Sequence, residues 1–275
     1  MTINGFLKIV CAGLFLISFA AAQDSKDLPE VIRQSDLDTL RHIPQTAFDV
    51  GERLVYDVGY SFITAGEAVF NIPPLKKYNG RDCYDIVFTV NSTSTFSLFY
   101  KVEDRYEALI DAQGLFPWQY EQHTHEGKYG FDIQVQFNPI NRTAKTAKGI
   151  YKTPQYVYEA ISAFFYIRAI NLSHKKMGER IYLENFYNDS TYSLVVKFLG
   201  RERISVRAGK FDCIIVEPVM KEGGLFKNEG KIVIWLTNDD RKLPVKVSTK
   251  VIVGSIDAEL REYSGINGPL RAKVE

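Results

Sequence analysis

Tyr129-Gly130-Phe131-Asp132-Ile133-Gln134-Val135-Gln136-Phe137 alternates large apolar side chains with glycine or polar ones over nine positions. A period of two sends successive side chains to opposite faces of a pleated strand, so this stretch has one buried and one wet face. The same period returns in Leu54-Tyr56-Val58-Tyr60, in Tyr84-Ile86-Phe88-Val90 and along Leu243 to Val253. Gly, Asn, Asp and Pro separate the runs. Short alternating runs with such breaks predict a mainly β body made of curved antiparallel sheet.

Residues 154–171 break the pattern. Thr153 is a suitable helix cap, Pro154 fits a first helical turn, and Val157, Ala160, Ile161, Ala163, Phe164, Phe165, Ile167, Ala169 and Ile170 follow. Apolar residues thus fall on nearly every face of one long helix, which must be covered on most sides. Its length and the charges of Glu159 and Arg168 suit it poorly to crossing a bilayer. The expected architecture is a half-barrel or barrel-like wall around this helix. Two readings of the helix stand: a core element, or one that lines or closes a cavity for an apolar ligand.

The chain also echoes itself. Gly51-Glu52-Arg53-Leu54-Val55-Tyr56 matches Gly178-Glu179-Arg180-Ile181-Tyr182-Leu183, 127 residues later. Gly80-Arg81-Asp82-Cys83 resembles Gly209-Lys210-Phe211-Asp212-Cys213, and Leu109 to Pro117 resembles Leu236 to Pro244. Three blocks in one order at nearly one offset predict an internal duplication. The half-repeats are expected near 50–128 and 177–265, joined through the helix within a single β domain at 50–268. A chain of this size can bury roughly 70% of its extended surface in one core. Residues 23–49 are expected to form an extended N-terminal segment.

Lys and Arg number 34 against 33 Asp and Glu, so the chain has no basic footprint for nucleic acid. Hydrophobic residues at 45% and charged ones at 24% exclude disordered, collagen-like and coiled-coil classes. Met1 to Ala22 places Lys8 before the apolar run Ile9 to Phe19 and ends in three alanines, which reads as a secretory signal peptide cleaved after Ala22. Cys11 follows Lys8, Ile9 and Val10, not the small residues that lipidation requires. Cys83 and Cys213 remain, in neither CxxC nor zinc spacing. Their strand-like neighbours predict two buried thiols, with a bond between them as the alternative.

Phe48 to Tyr56, Ala65-Gly66, Ala160 to Arg168, Ala208-Gly209-Lys210-Phe211 and Ile234-Trp235-Leu236-Thr237 through Pro244-Val245 together resemble a bacterial envelope family known as domain of unknown function 3108. That family is distantly similar to the LolA and LolB lipoprotein carriers, in which a curved sheet wraps helices around an apolar cavity. The resemblance implies a Gram-negative envelope protein, periplasmic or associated with the outer membrane. It carries over no catalytic residue.

No P-loop, GxSxG elbow, HExxH or GxGxxG is present, and no cofactor is expected. His123 and His125 share one face of a strand near Glu121, which gives the best metal candidate, although a polar strand end or turn exposed to solvent is the favoured explanation. The residues expected to meet a ligand are Phe164, Phe165 and Arg168 on the helix, Phe96 and Phe99 in one aromatic loop, and Leu225 and Phe226 beside Gly223-Gly224. Arg168 could hold a ligand carboxylate or phosphate, or serve its own helix end. The leading expectation is an exported envelope protein that binds an apolar or amphipathic molecule, such as a lipid or a lipoprotein acyl chain. Two other classes stay open: a non-enzymatic adaptor docking an envelope protein, and a metal-dependent hydrolase using His123 and His125. The two loops also allow a peripheral contact with a membrane.

Overall fold

The computed structural model describes residues 32–60, 63–220, 231–250 and 254–274. The expected signal peptide, Leu225 and Phe226 lie outside them. Among the described residues the chain is mainly β, with 17 strands in one sheet. The first nine are β1 (Arg53–Tyr60), β2 (Ile63–Asn71), β3 (Lys76–Tyr78), β4 (Arg81–Ser92), β5 (Glu103–Asp111), β6 (Pro117–Glu126), β7 (Tyr129–Asn138), β8 (Thr143–Thr146) and β9 (Gly149–Lys152). After β10 (Val157–Tyr158) come β11 (Arg180–Tyr187), β12 (Ser190–Val206), β13 (Gly209–Met220), β14 (Ile232–Thr237), β15 (Pro244–Lys250), β16 (Ser255–Ser264) and β17 (Lys273–Val274). Three helices interrupt them: α1 (Gln34–Leu37), α2 (Ser94–Ser97) and α3 (Ala160–Ala169).

Strand pairing builds two meanders. In one, β1, β2, β4, β5, β6 and β7 lie side by side in that order, continued by β8 and β9. In the other, β11 to β16 lie side by side. The antiparallel pairing of β1 with β16 splices them, and β10 adds to β11 as a parallel strand. Bulges at Val55/Tyr56, Leu109/Ile110, Phe198/Gly200 and Trp235/Leu236 sharpen the twist that curls so wide a sheet. The alternation of Tyr129 to Phe137 is realised in β7, where Val135 and Phe137 are buried and Gln134 and Gln136 exposed. Its two ends approach through side chains: Thr146 Oγ1 donates to Asp189 Oδ1 at 2.9 Å, Lys148 Nζ lies 2.9 Å from Asp189 Oδ2, and Tyr151 packs on Phe186.

The two Gly-Glu-Arg openings take one local shape. Gly51 and Gly178 both have positive φ, +91° and +87°, which an L side chain rarely adopts. Gly51 N donates to Ile72 O and Ile72 N to Glu52 O, while Gly178 N donates to Phe198 O and Phe198 N to Glu179 O. Cys83 and Cys213 are both buried and unbonded, each in a small cluster on the convex face. The N-terminal segment covers the first with Leu37 and Leu40, and Leu270 near the C-terminus packs against the second. Burial pushes both thiols up to about 12, which leaves them unreactive.

α3 is shorter than the sequence predicts, beginning at Ala160 and not near Pro154. Val157 and Tyr158 pair with Glu184 and Asn185 of β11, so the chain is still extended there. Glu159 takes over the capping role assigned to Thr153. Its carboxylate accepts from Ile161 N at 2.6 Å and Ser162 N at 2.7 Å, and Ser162 Oγ accepts from Glu159 N at 3.1 Å. Arg168, in the last turn, is fully buried and forks onto Glu52 at 2.6 and 2.9 Å. Its Nη2 also donates to Ala47 O and Arg241 O, and its guanidinium lies over the rings of Phe48 and Phe165.

Removing one partner of such a pair strands a charge out of water. Glu52→Leu or Arg168→Met alone is expected to cost about 3–5 kcal/mol in urea unfolding, and the double replacement to recover most of that loss. Equal stability of single variants and wild type would contradict this. Glu159 gives a pH signature. Burial pushes its carboxyl up to about 7, against the opposing pull of the Ser162 and Ile161 donors, from 4.5 in the free side chain. The folded chain therefore holds this proton more tightly than the unfolded chain. The stabilisation is complete below about pH 4.5 and is lost as pH rises through 7. Denaturation curves from pH 5 to 8 are expected to show wild type losing on the order of 3 kcal/mol that Glu159→Gln does not lose. Parallel pH profiles would refute the assignment.

Candidate functional site

The concave face of the sheet encloses a cavity of about 340 Å³. Strands of both meanders wall it: Val58, Phe70, Phe88 and Tyr106 from the first, and Val196, Val216, Ile234 and Ala258 from the second. α3 contributes Ala160, Ile161, Ala163, Phe164 and Ile167. The two-residue period of each strand delivers these side chains to one face, and pairing places Val58 opposite Ala258 and Phe70 opposite Phe88. Phe70 stacks on Phe88 at 4.1 Å between ring centres and on Phe164 at 5.8 Å, an aromatic seam between wall and helix.

The few polar groups on the wall are already bonded. Tyr56 Oη donates to Pro244 O at 2.9 Å, and Asn185 Nδ2 donates to Tyr158 O at 3.0 Å. Burial raises the hydroxyl pKa values of Tyr56 and Tyr120, so both stay neutral donors. Tyr120 is the one β6 residue on the cavity wall, and it begins a buried polar row that runs along the same face of β6 beyond the wall. Tyr120 Oη donates to Gln122 Oε1 at 3.0 Å, and Gln122 Nε2 donates to Thr124 Oγ1 at 2.9 Å. Beside them on β5 the buried Asp104 accepts from His125 N at 2.9 Å and from Tyr106 Oη at 3.3 Å. The space itself therefore suits an apolar body, and no group on its wall is an activated nucleophile.

The expected site residues separate. Phe164 lines the cavity. Phe165 is buried against Phe48 and Phe70 in the core beside it. Arg168, expected to meet a ligand anion, is engaged by Glu52 and lies away from the cavity wall. Phe96 packs partly buried against the cluster that includes Val58 and Val90, whereas Phe99 is exposed. Leu225 and Phe226 fall outside the described residues, between Pro218 and Ile232, which both line the cavity. His123 is bonded through Nδ1 to Asp132 Oδ1 at 2.8 Å, and its Nε2 lies 3.7 Å from Glu121. Among the described residues no three His, Cys, Asp or Glu side chains converge as a metal site. Sequence reading missed the sheet side of the cavity, including Ala68, Tyr120 and Ala258, and the buried Gln122-Thr124 row that continues from Tyr120. The alternation in β6 was there to be read, but Gln122 and Thr124 look like a wet face until pairing shows which side is enclosed.

No curated protein is similar to the chain at a significant level. Among solved structures, a β-barrel-like protein of domain of unknown function DUF1849 from Brucella abortus superposes with a TM-score of 0.54 at 9% identity, over 82% of this chain and 99% of that one. A candidate exported protein with a YmcC-like fold from Bacteroides fragilis gives 0.37 at 12% identity, over the same shares of the two chains. The first likeness places the fold among β-barrel-like proteins. The family model described as a protein of unknown function, DUF3108, matches residues 55–261, and the chain belongs to that family.

Proposed function

We propose that the protein is an exported envelope protein that holds an apolar or amphipathic molecule, a lipid or an acyl chain, between its curled sheet and α3. The observation that carries this reading is the cavity: about 340 Å³, walled by both meanders and by the apolar residues of α3. At roughly 30 Å³ per non-hydrogen atom, the share of a water molecule in the liquid, it takes about eleven atoms of one chain. Ten buried methylenes are worth on the order of 8 kcal/mol at about 0.8 each, enough for micromolar binding before ordering costs. The signal-like N-terminus and the family's envelope setting support export, and the fold supports a binder rather than a catalyst.

The same reading takes the two meanders as a duplicated unit. Matching positive-φ glycines, matching hydrogen bonds at Glu52 and Glu179, and equivalent Cys83 and Cys213 support it. Duplication supplies two half-walls whose concave faces form one container.

Titration with a fluorescent fatty acid, followed by native mass spectrometry of the purified protein, tests the function. Wild type is expected to bind one equivalent at micromolar concentration. Ala258→Phe, which projects a ring into the cavity, is expected to weaken binding at least about tenfold with folding intact. A protein that takes up no apolar probe and carries no amphiphile contradicts the proposal.

A further inference from the structure

Strand directions put one set of connections at one end of the sheet. β1 runs toward this end and β2 leaves it; β4 and β5 meet there through α2, and β6 and β7 through Gly127 and Lys128. β13 ends there, β14 begins there, and Lys250 of β15 pairs with Ser255 of β16. Val58, Val90, Thr249 and Ile256, the cavity residues nearest these strand ends, place the cavity beside this end. The opposite end is closed by the Arg168–Glu52 pair, Phe48 and Ile72.

At the cavity end Leu98 is 83% exposed, Phe99 75%, Ile63 66% and Tyr129 46%, while Met177 at 77%, Tyr182 at 59% and the less exposed Val50, Leu75 and Ile150 are scattered over the rest of the surface. The turn that carries Leu98 and Phe99 is built to present them. Thr93 caps α2, Ser92 Oγ bonds Ser97 Oγ at 2.7 Å, and Phe96 and Tyr100 pack inward on the cluster that includes Val58 and Val90. One short segment therefore has two aromatic anchors inside and two apolar side chains in water.

Among the described residues at this end, two lysines are left over once the ion pairs are formed. Glu103 pairs with Lys101, Glu217 with Lys197 and Lys231, and Asp257 with Lys246, while Lys128 and Lys250 make no ion pair among the described residues. Apolar side chains beside unpaired lysines fit a lipid headgroup layer, where the first enter the acyl boundary and the second meet anionic phosphates.

We infer that this rim docks on an anionic lipid bilayer, with Leu98, Phe99 and Ile63 inserted and the cavity facing the membrane. Docking in this way lets an amphiphile pass between bilayer and cavity without crossing water.

Flotation with vesicles of phosphatidylcholine, alone or with an equal part of phosphatidylglycerol, tests this on the purified protein. Wild type is expected to float with the anionic vesicles. Leu98→Ser/Phe99→Ser is expected to lower the affinity about tenfold per side chain, and Met177→Ser to leave it unchanged. Lys128→Glu/Lys250→Glu is expected to weaken binding to anionic vesicles only. Retention of fatty-acid uptake by Leu98→Ser/Phe99→Ser shows that the variant is folded and separates docking from cargo binding. If no variant or wild type takes up the probe yet flotation follows this pattern, the rim stands and the cargo reading falls. Wild type that floats with neither vesicle overturns the inference. So does a double serine variant that floats like wild type, or one whose only change is a lost self-association in sedimentation velocity.

Discussion

A guanidinium in a protein interior must be matched by a carboxylate and by further acceptors, and Arg168 collects these for both terminal nitrogens from two distant parts of the chain, leaving Nε without a partner. Glu52 lies at the entry to β1, Ala47 in the N-terminal segment and Arg241 in the turn between β14 and β15. The end of α3 is thereby tied to the first meander, to the second and to the segment that precedes both. Directional charge-assisted bonds fix where the helix sits in a way that its apolar surface, buried on almost any side, would not. The depth of the cavity against the sheet follows from that placement, because α3 forms one wall.

The same constraint explains how the two Gly-Glu-Arg openings differ. Both take the same turn with the same backbone bonds, yet Glu52 is buried and paired with Arg168, whereas Glu179 is exposed and pairs with Lys175 four residues earlier. One helix between two similar half-walls can end against only one of them. The first opening carries the buried pair, and the second remains a surface turn.

The strands were largely legible because their period is local: side chains two apart in β7 share a face whatever the rest of the chain does. The start of α3 was not. Thr153-Pro154 offers an ordinary cap and first turn, whereas Glu159 is an uncommon cap that works here because it is buried and bonded by two amides and Ser162. Pairing of Val157 and Tyr158 with β11 wins over local preference, and a contact 27 residues away leaves no mark in a local pattern. Arg168 was visible as an odd charge at an apolar helix end. Its partner was not, since Glu52 is 116 residues away in sequence and sits in a motif that reads simply as a strand opening. The cavity wall was half legible: Phe164 announces itself, but Ala68 and Ala258 acquire meaning only from what faces them.

Those small residues bear on why there is a space at all. Ala68, Ala160, Ala163 and Ala258 contribute to walls on three different elements, and larger apolar side chains there would close the gap between sheet and helix. An apolar guest would restore the missing contacts, while water would find few free polar partners on these walls. The buried ion pair fixes the end of the helix, and the alanines leave the gap beside it open.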